Sequence, residues 1–174
     1  MCIRDSYVVS GDIAVVGSPA DVNAEAIDGS ISISGSPAWV RAKSASGNVT
    51  FTGSSGDITA STVSGKISVN GKRFEKAKFE SVTGDIRFAG AFERSGLANF
   101  DSHSGTITIA MPANSPADID AVSISGSIRN DFSNTRPRAG RYGRGAELVT
   151  EAYGGGVRLV IRSFKGPVVF EVQK

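Results

Sequence analysis

A glycine recurs at positions 11, 29, 47, 65, 84, 105 and 126, so that successive spacings are 18, 18, 18, 19, 21 and 21 residues. Each sits in the same company, a small or polar residue before it and a polar then a β-branched residue after it. Ser10-Gly11-Asp12-Ile13, Ser46-Gly47-Asn48-Val49, Thr83-Gly84-Asp85-Ile86 and Ser125-Gly126-Ser127-Ile128 are examples. A chain marked in this way repeats one supersecondary unit, and such units bury their apolar faces by stacking on one another.

Within each unit the apolar residues alternate. Ile13/Val15, Ile31/Ile33, Val49/Phe51, Ile67/Val69, Ile86/Phe88 and Ile107/Ile109 follow the glycines, and period two marks one face of a strand. A second set obeys the same shift: Val22/Ala24, Val40/Ala42, Ile58/Ala60, Ala77/Phe79, Ala98/Phe100 and Ile119/Ala121. Gly17-Ser18-Pro19 and Gly35-Ser36-Pro37 supply turns between the sets. A half-repeat, Ser55-Gly56-Asp57-Ile58, lies nine residues before Gly65. The pattern predicts an all-β, single-stranded parallel β-helix with coils of about 18–21 residues. Parallel strands about 4.8 Å apart would make seven such coils and the final strands a flattened rod on the order of 40 Å long. An antiparallel sandwich also has short alternating strands, but it has no reason to hold an 18-residue register.

The lengthening of the repeat falls in one connection, at 70–76, 89–97 and 110–118, which places longer loops side by side on one edge. After Asp131-Phe132 the repeat lapses into an Arg/Gly-rich loop over 134–145. Strands resume at 146–152, 157–162 and 168–172 and are expected to cap one end of the rod, because open coil edges invite polymerisation. With 40% hydrophobic residues in 174, the chain has enough apolar material for a core, and one domain over 7–174 is expected. Met1–Ser6 stands outside the repeat and resembles a translated sequencing-adapter remnant, so residues 1–6 are expected to be a non-native leader that replaces any signal or anchor.

The run of Ser-Gly-Asp-Ile repeats, with Ser104-Gly105-Thr106-Ile107-Thr108-Ile109-Ala110-Met111-Pro112-Ala113 and then Ile124-Ser125-Gly126-Ser127-Ile128-Arg129-Asn130-Asp131-Phe132, resembles the bacterial family labelled as adhesins and catalogued as domain of unknown function 4097. The resemblance covers roughly residues 8–174. It implies a β-helix of an exported or envelope-associated bacterial protein, and it carries no catalytic residues over to this chain. The Arg-rich loop and the long final region depart from the family's pattern.

Chemistry is sparse. The only cysteine, Cys2, excludes a disulfide within the chain and a cysteine-based metal site. The column after the glycines reads Asp12, Ser30, Asn48, Lys66, Asp85, Thr106, Ser127, which is turn chemistry and lacks the nonapeptides of calcium-binding β-rolls. Glu80 and Asp101 align under the 21-residue shift and are expected about 5 Å apart on adjacent coils, as a solvated pair of like charges. His103, the only histidine, shares a column with Ile27, Ala45, Val63, Val82 and Ile124 and reads as a corner packing residue. No carboxylate set of the kind polysaccharide-cleaving β-helices need is apparent, and no regular Thr ladder of an ice-binding face. No enzyme activity, cofactor or metal is expected. A net charge of +2 gives no reason to expect nucleic acid, and no apolar run is long enough to span a bilayer.

Two surfaces remain as candidates for a glycan, envelope component or protein partner. One is the loop carrying Arg136, Arg138, Arg141, Tyr142 and Arg144, where guanidinium groups around a ring suit anionic ligands. The other is the set Lys72, Arg73, Phe74, Phe92 and Arg94 on the longer connections. The expectation is a non-enzymatic, envelope-associated adhesin or scaffold module presenting stacked loops. The alternative is a bactofilin-like structural polymer formed by end-to-end self-association.

Overall fold

The computed structural model describes residues 3–173. Twelve strands wind in sequence: β1 (Ile3–Ser10), β2 (Ile13–Val16), β3 (Asp21–Asp28), β4 (Ile31–Gly35), β5 (Trp39–Ser44), β6 (Val49–Thr62), β7 (Ile67–Ser81), β8 (Ile86–Gly90), β9 (Leu97–Ser102), β10 (Ile107–Pro112), β11 (Ala117–Ser123) and β12 (Ile128–Asn130). Four more follow, β13 (Arg138–Ala139), β14 (Ala146–Ala152), β15 (Val157–Ser163) and β16 (Val168–Gln173), with one 3-10 turn at Arg141–Gly143 between β13 and β14. Each coil contributes a strand to each of two facing layers. β6 and β7 are long enough to turn the corner and serve both. Among the described residues no helix is long and apolar enough to cross a membrane.

The chain is thus a parallel β-solenoid, and its register is the one the repeat predicts. Val22 faces Val40, which faces Ile58, then Ala77 and Ala98, while Ile13, Ile31, Val49, Ile67, Ile86 and Ile107 form the ladder opposite. All of these side chains are buried, because period two sends alternate residues into the space between the layers. Where the alanine column gives way to Phe79 and Phe100, an aromatic cluster fills the centre. Phe79 and Phe100 lie 5.1 Å apart between ring centroids, and Phe88 packs edge-on to Phe74 at 5.4 Å.

Glycine is required in the repeat column because the coils touch there through backbone alone. A methyl group at Gly29, Gly47, Gly65, Gly84 or Gly105 would run into the carbonyl oxygen of the glycine one coil back. Three residues before Gly47, Gly65, Gly84, Gly105, Gly126 and Gly166 comes a buried hydroxyl: Ser44, Thr62, Ser81, Ser102, Ser123 and Ser163. Ser44 donates to the Gly29 carbonyl at 3.1 Å and accepts from the Gly47 N–H at 2.9 Å, so one side chain ties two coils together. The polar residue after the glycine acts as a spacer. Asp12, Asn48 and Asp85 accept the backbone N–H of Ser30, Lys66 and Thr106 at 2.8, 2.8 and 2.9 Å. That is turn chemistry, as the sequence implies.

The final strands depart from a simple cap. β14 pairs antiparallel with β11, and β13 with β14, so these two cover the last coil. β15 and β16 instead insert as a further parallel coil. β15 lies between β9 and β11, and β16 between β10 and β12. The glycine ladder records this order directly, since Gly166 stacks on Gly105 and Gly126 stacks on Gly166. Gly166-Pro167-Val168 is therefore an eighth repeat marker, disguised by proline at the polar position.

The lengthening of the repeat at 70–76 is likewise no loop. It lies inside β7, where a bulge sets Ser55 opposite Phe74 and absorbs the extra residue while the ladder continues. Ile3–Ser6 pair with Asp21–Ala24 as the start of β1, because backbone pairing needs no particular side chain.

Candidate functional site

A groove of about 860 Å³ follows the glycine corner from Tyr7 on the first coil to Ile124 on the last. At one strand spacing per coil it is on the order of 35 Å long. Its floor is a column that the register sets side by side: Ile27, Ala45, Val63, Val82, His103, Phe164 and Ile124. Side chains at a corner point away from both layers. The large apolar members of this column are accordingly between 42% (Phe164) and 55% (Ile124) exposed. An apolar strip of this kind, interrupted only by His103 among these seven residues, is unusual on a protein surface.

The side wall comes from outward-facing residues of the neighbouring layer. Tyr7 stands beside Glu25 and Glu25 beside Lys43; further along, Glu80 stands beside Asp101 and Asp101 beside Arg162. The alignment of Glu80 with Asp101 is the one the 21-residue shift implies. It is more than a freely solvated pair. Burial and then the Glu80 charge raise the Asp101 carboxyl above its ordinary 3.8, against the opposing pull of Arg162 and Lys78. Lys78 Nζ reaches Glu80 Oε1 at 2.8 Å, which holds the Lys78 amine above its ordinary 10.5. The wall therefore carries both signs, and the neighbouring acids Glu80 and Asp101 meet the cations Lys78 and Arg162 near its middle.

His103 occupies the column foreseen for it, but it is exposed and packs nothing into the interior. Its ring stacks on Phe164, 4.9 Å between centroids and 6° from parallel. Phe164 and Arg162 both come from the inserted coil, so the groove is complete only when that coil is in place. Among the described residues no three His, Cys, Asp or Glu side chains are grouped to hold a metal ion.

The two surfaces expected from sequence fare differently. Arg136, Arg138, Arg141 and Arg144 are exposed on a small hairpin that β13 forms with β14, with Arg138 opposite Glu147; the side chain of Tyr142 lies outside the described residues. β13 is the outermost strand of its layer, at the capped end. On the other surface, Phe74 is fully buried, because the bulge in β7 turns it inward among Phe51, Phe88 and Phe92. Phe92 is half-buried and lies flat on Phe88, at 4.5 Å and 13°. Both aromatics close the open edge of the coil, and Phe74 is thereby removed from the candidate surface. Lys72, Arg73 and Arg94 remain exposed; Arg73 Nε lies 3.4 Å from Glu93 Oε1, beside a smaller hollow of about 270 Å³. The groove itself had a visible signal, an apolar column one residue past the buried hydroxyls, which sequence reasoning assigned to packing.

A family model described as Toastrack DUF4097 matches residues 6–147. No curated protein and no solved structure matches the chain.

Proposed function

We propose, for a chain that belongs to the Toastrack DUF4097 family, a non-catalytic binding role as an adhesin or scaffold module of a bacterial cell envelope. The partner is a protein that lays an apolar, elongated surface along the glycine corner. The observation that carries this reading is the exposed ladder Ile27, Val63, Val82, Phe164 and Ile124, rimmed by Glu25, Lys43, Glu80 and Arg162. Apolar strips with polar rims are typical of protein-binding surfaces. Aliphatic β-branched side chains offer little to a sugar, whereas they suit the aliphatic ridge of a peptide, in the manner of a helix laid in a groove. The stack makes the corner rigid, so little entropy is lost there on binding. The envelope location rests on the family resemblance.

A phage-displayed library of 20-residue peptides and a panel of anionic and neutral glycans, each presented to the purified module, test the proposal. Peptides are expected to be selected, and their binding to fall at least about tenfold in Val63→Asp/Val82→Asp while surviving Arg138→Ala/Arg141→Ala. Glycan binding that depends on the arginine hairpin and ignores the corner would transfer the function to β13–β14.

A further inference from the structure

The coil made of β15 and β16 is out of order. Coils follow one another along the stack up to β9–β10, and the next in sequence, β11–β12, then leaves a gap one coil wide that the C-terminal segment fills. The gap is fully lined: β9 and β11 present pairing edges in one layer, β10 and β12 in the other. The segment completes the core with Leu159, Ile161, Val168 and Phe170, none of them measurably exposed.

The tether that delivers it is short. Ala152 and Val157 flank Ala117 on opposite sides, so residues 153–156 carry the chain over one whole strand. That is about 9.6 Å, or two strand spacings. Three successive residues of the tether are left-handed, Tyr153 at φ 52°, Gly154 at 85° and Gly155 at 69°; for Tyr153 that is a strained conformation.

We propose that the Val157–Gln173 coil is exchangeable, and that a second copy of this chain can supply it. Every pairing and burial that the coil makes in its own chain is reproduced when it enters the gap of another. The tether alone changes, and extending it relieves Tyr153. Short, strained hinges favour this kind of exchange, and reciprocal exchange closes into a two-fold dimer. Arg162 and Phe164 travel with the coil, so each corner groove of the exchanged dimer is built from two chains. This inference stands apart from the proposed function, since it concerns how the groove is assembled and not what it binds.

The test uses two full-length chains with Cys2→Ser, one tagged and carrying Asn99→Cys, the other untagged and carrying Val160→Cys. These positions are register partners on β9 and β15. The chains are mixed in denaturant, refolded together and then oxidised, and the disulfide-linked tagged–untagged product is measured. A four-residue tether confers an effective concentration on the order of mM. At about 10 μM protein the linked product is therefore expected near ~1%, rising in proportion to concentration. Deleting Gly154 and Gly155 leaves too little chain to pass around Ala117 and is expected to raise the linked product at least tenfold, with the mass of a dimer. The pair Asn99→Cys and Val169→Cys, on different layers, is expected to give none. Absence of the linked product from the native-hinge mixture at every concentration overturns the proposal, and it does so even if the deletion variant fails to fold.

Discussion

Ser123 donates its hydroxyl to the carbonyl oxygen of Gly166 at 3.1 Å, 43 positions further along the chain. In two earlier coils the same bond runs backward, from Ser44 to Gly29 and from Thr62 to Gly47, 15 positions in each case, whereas Ser81 and Ser102 donate to Gly84 and Gly105 of their own turns. Where the bond joins two coils it follows the order of the stack, whatever the order of the coils in sequence. Ser123 also accepts the Gly126 N–H at 3.0 Å. Ser123→Ala leaves that half-buried donor without its partner, so urea denaturation should show a loss of about 1–2 kcal/mol. Ser46→Ala, which removes an exposed hydroxyl, is expected to change stability by less than about 0.5 kcal/mol.

The glycine ladder predicts a sharp asymmetry between two alanine substitutions. In Gly84→Ala the new methyl meets the Gly65 carbonyl, which is backbone and cannot swing aside as the end of a flexible side chain would. Separating two coils there should cost roughly 3 kcal/mol. Gly56→Ala, whose nearest neighbour is the Ala38 carbonyl at 3.1 Å, is expected to cost less than about 1 kcal/mol. Equal losses in the two variants would show that the ladder carries no special constraint.

Phe74 and Lys72 lie two residues apart and should respond oppositely. Phe74→Ala empties a buried site among three other rings and is expected to destabilise by about 3–5 kcal/mol. Lys72→Ala, on the exposed side of the same strand, should stay within about 0.5 kcal/mol. Thermal or chemical unfolding of the pair checks both values.

Asp101 supplies a pH dependence of definite sign. Its carboxyl is raised in the folded chain, first by burial and then by Glu80, so the folded state takes up its proton more readily than the unfolded state does. The ionised group therefore weakens the fold at neutral pH, and that penalty fades as pH falls through the raised value. Asp101→Asn is expected to raise the melting temperature at pH 7 by roughly 1–2 °C. The gap between variant and parent should narrow on acidification and vanish below the ordinary 3.8. A variant less stable than the parent at pH 7 would mean that the attraction of Arg162 and Lys78 outweighs burial.

Much of the architecture was legible because it is written in a fixed offset. A 18-residue shift from Val22 to Val40 to Ile58 is a register, and the structure pairs those residues accordingly. Three things were not legible. Spatial order is lost wherever the chain skips a level, so nothing local to Gly166 says that it stacks between Gly105 and Gly126; Pro167 in the polar position hid even its membership of the column. A bulge and a loop both lengthen the repeat, which is why Phe74 stood among the candidate surface residues, beside the reading that it packs over the coil edge, although its strand never breaks. Finally, apolar columns are ordinarily read as core. Val63 and Val82 lie one step past the buried hydroxyls Thr62 and Ser81, at the bend where the two layers part, and the same composition there forms an outer floor.

The displaced coil also bears on synthesis. Residues 157–173 leave the ribosome after 117–130, yet they lie beneath them in the stack. Growth from the N-terminus can proceed level by level through β10 and must then wait. A nascent chain that has reached β14 holds a platform with a vacant storey above it, and only translation through Phe170 fills it. Completion of the groove, to which Arg162 and Phe164 contribute, thereby waits on translation through the inserted coil.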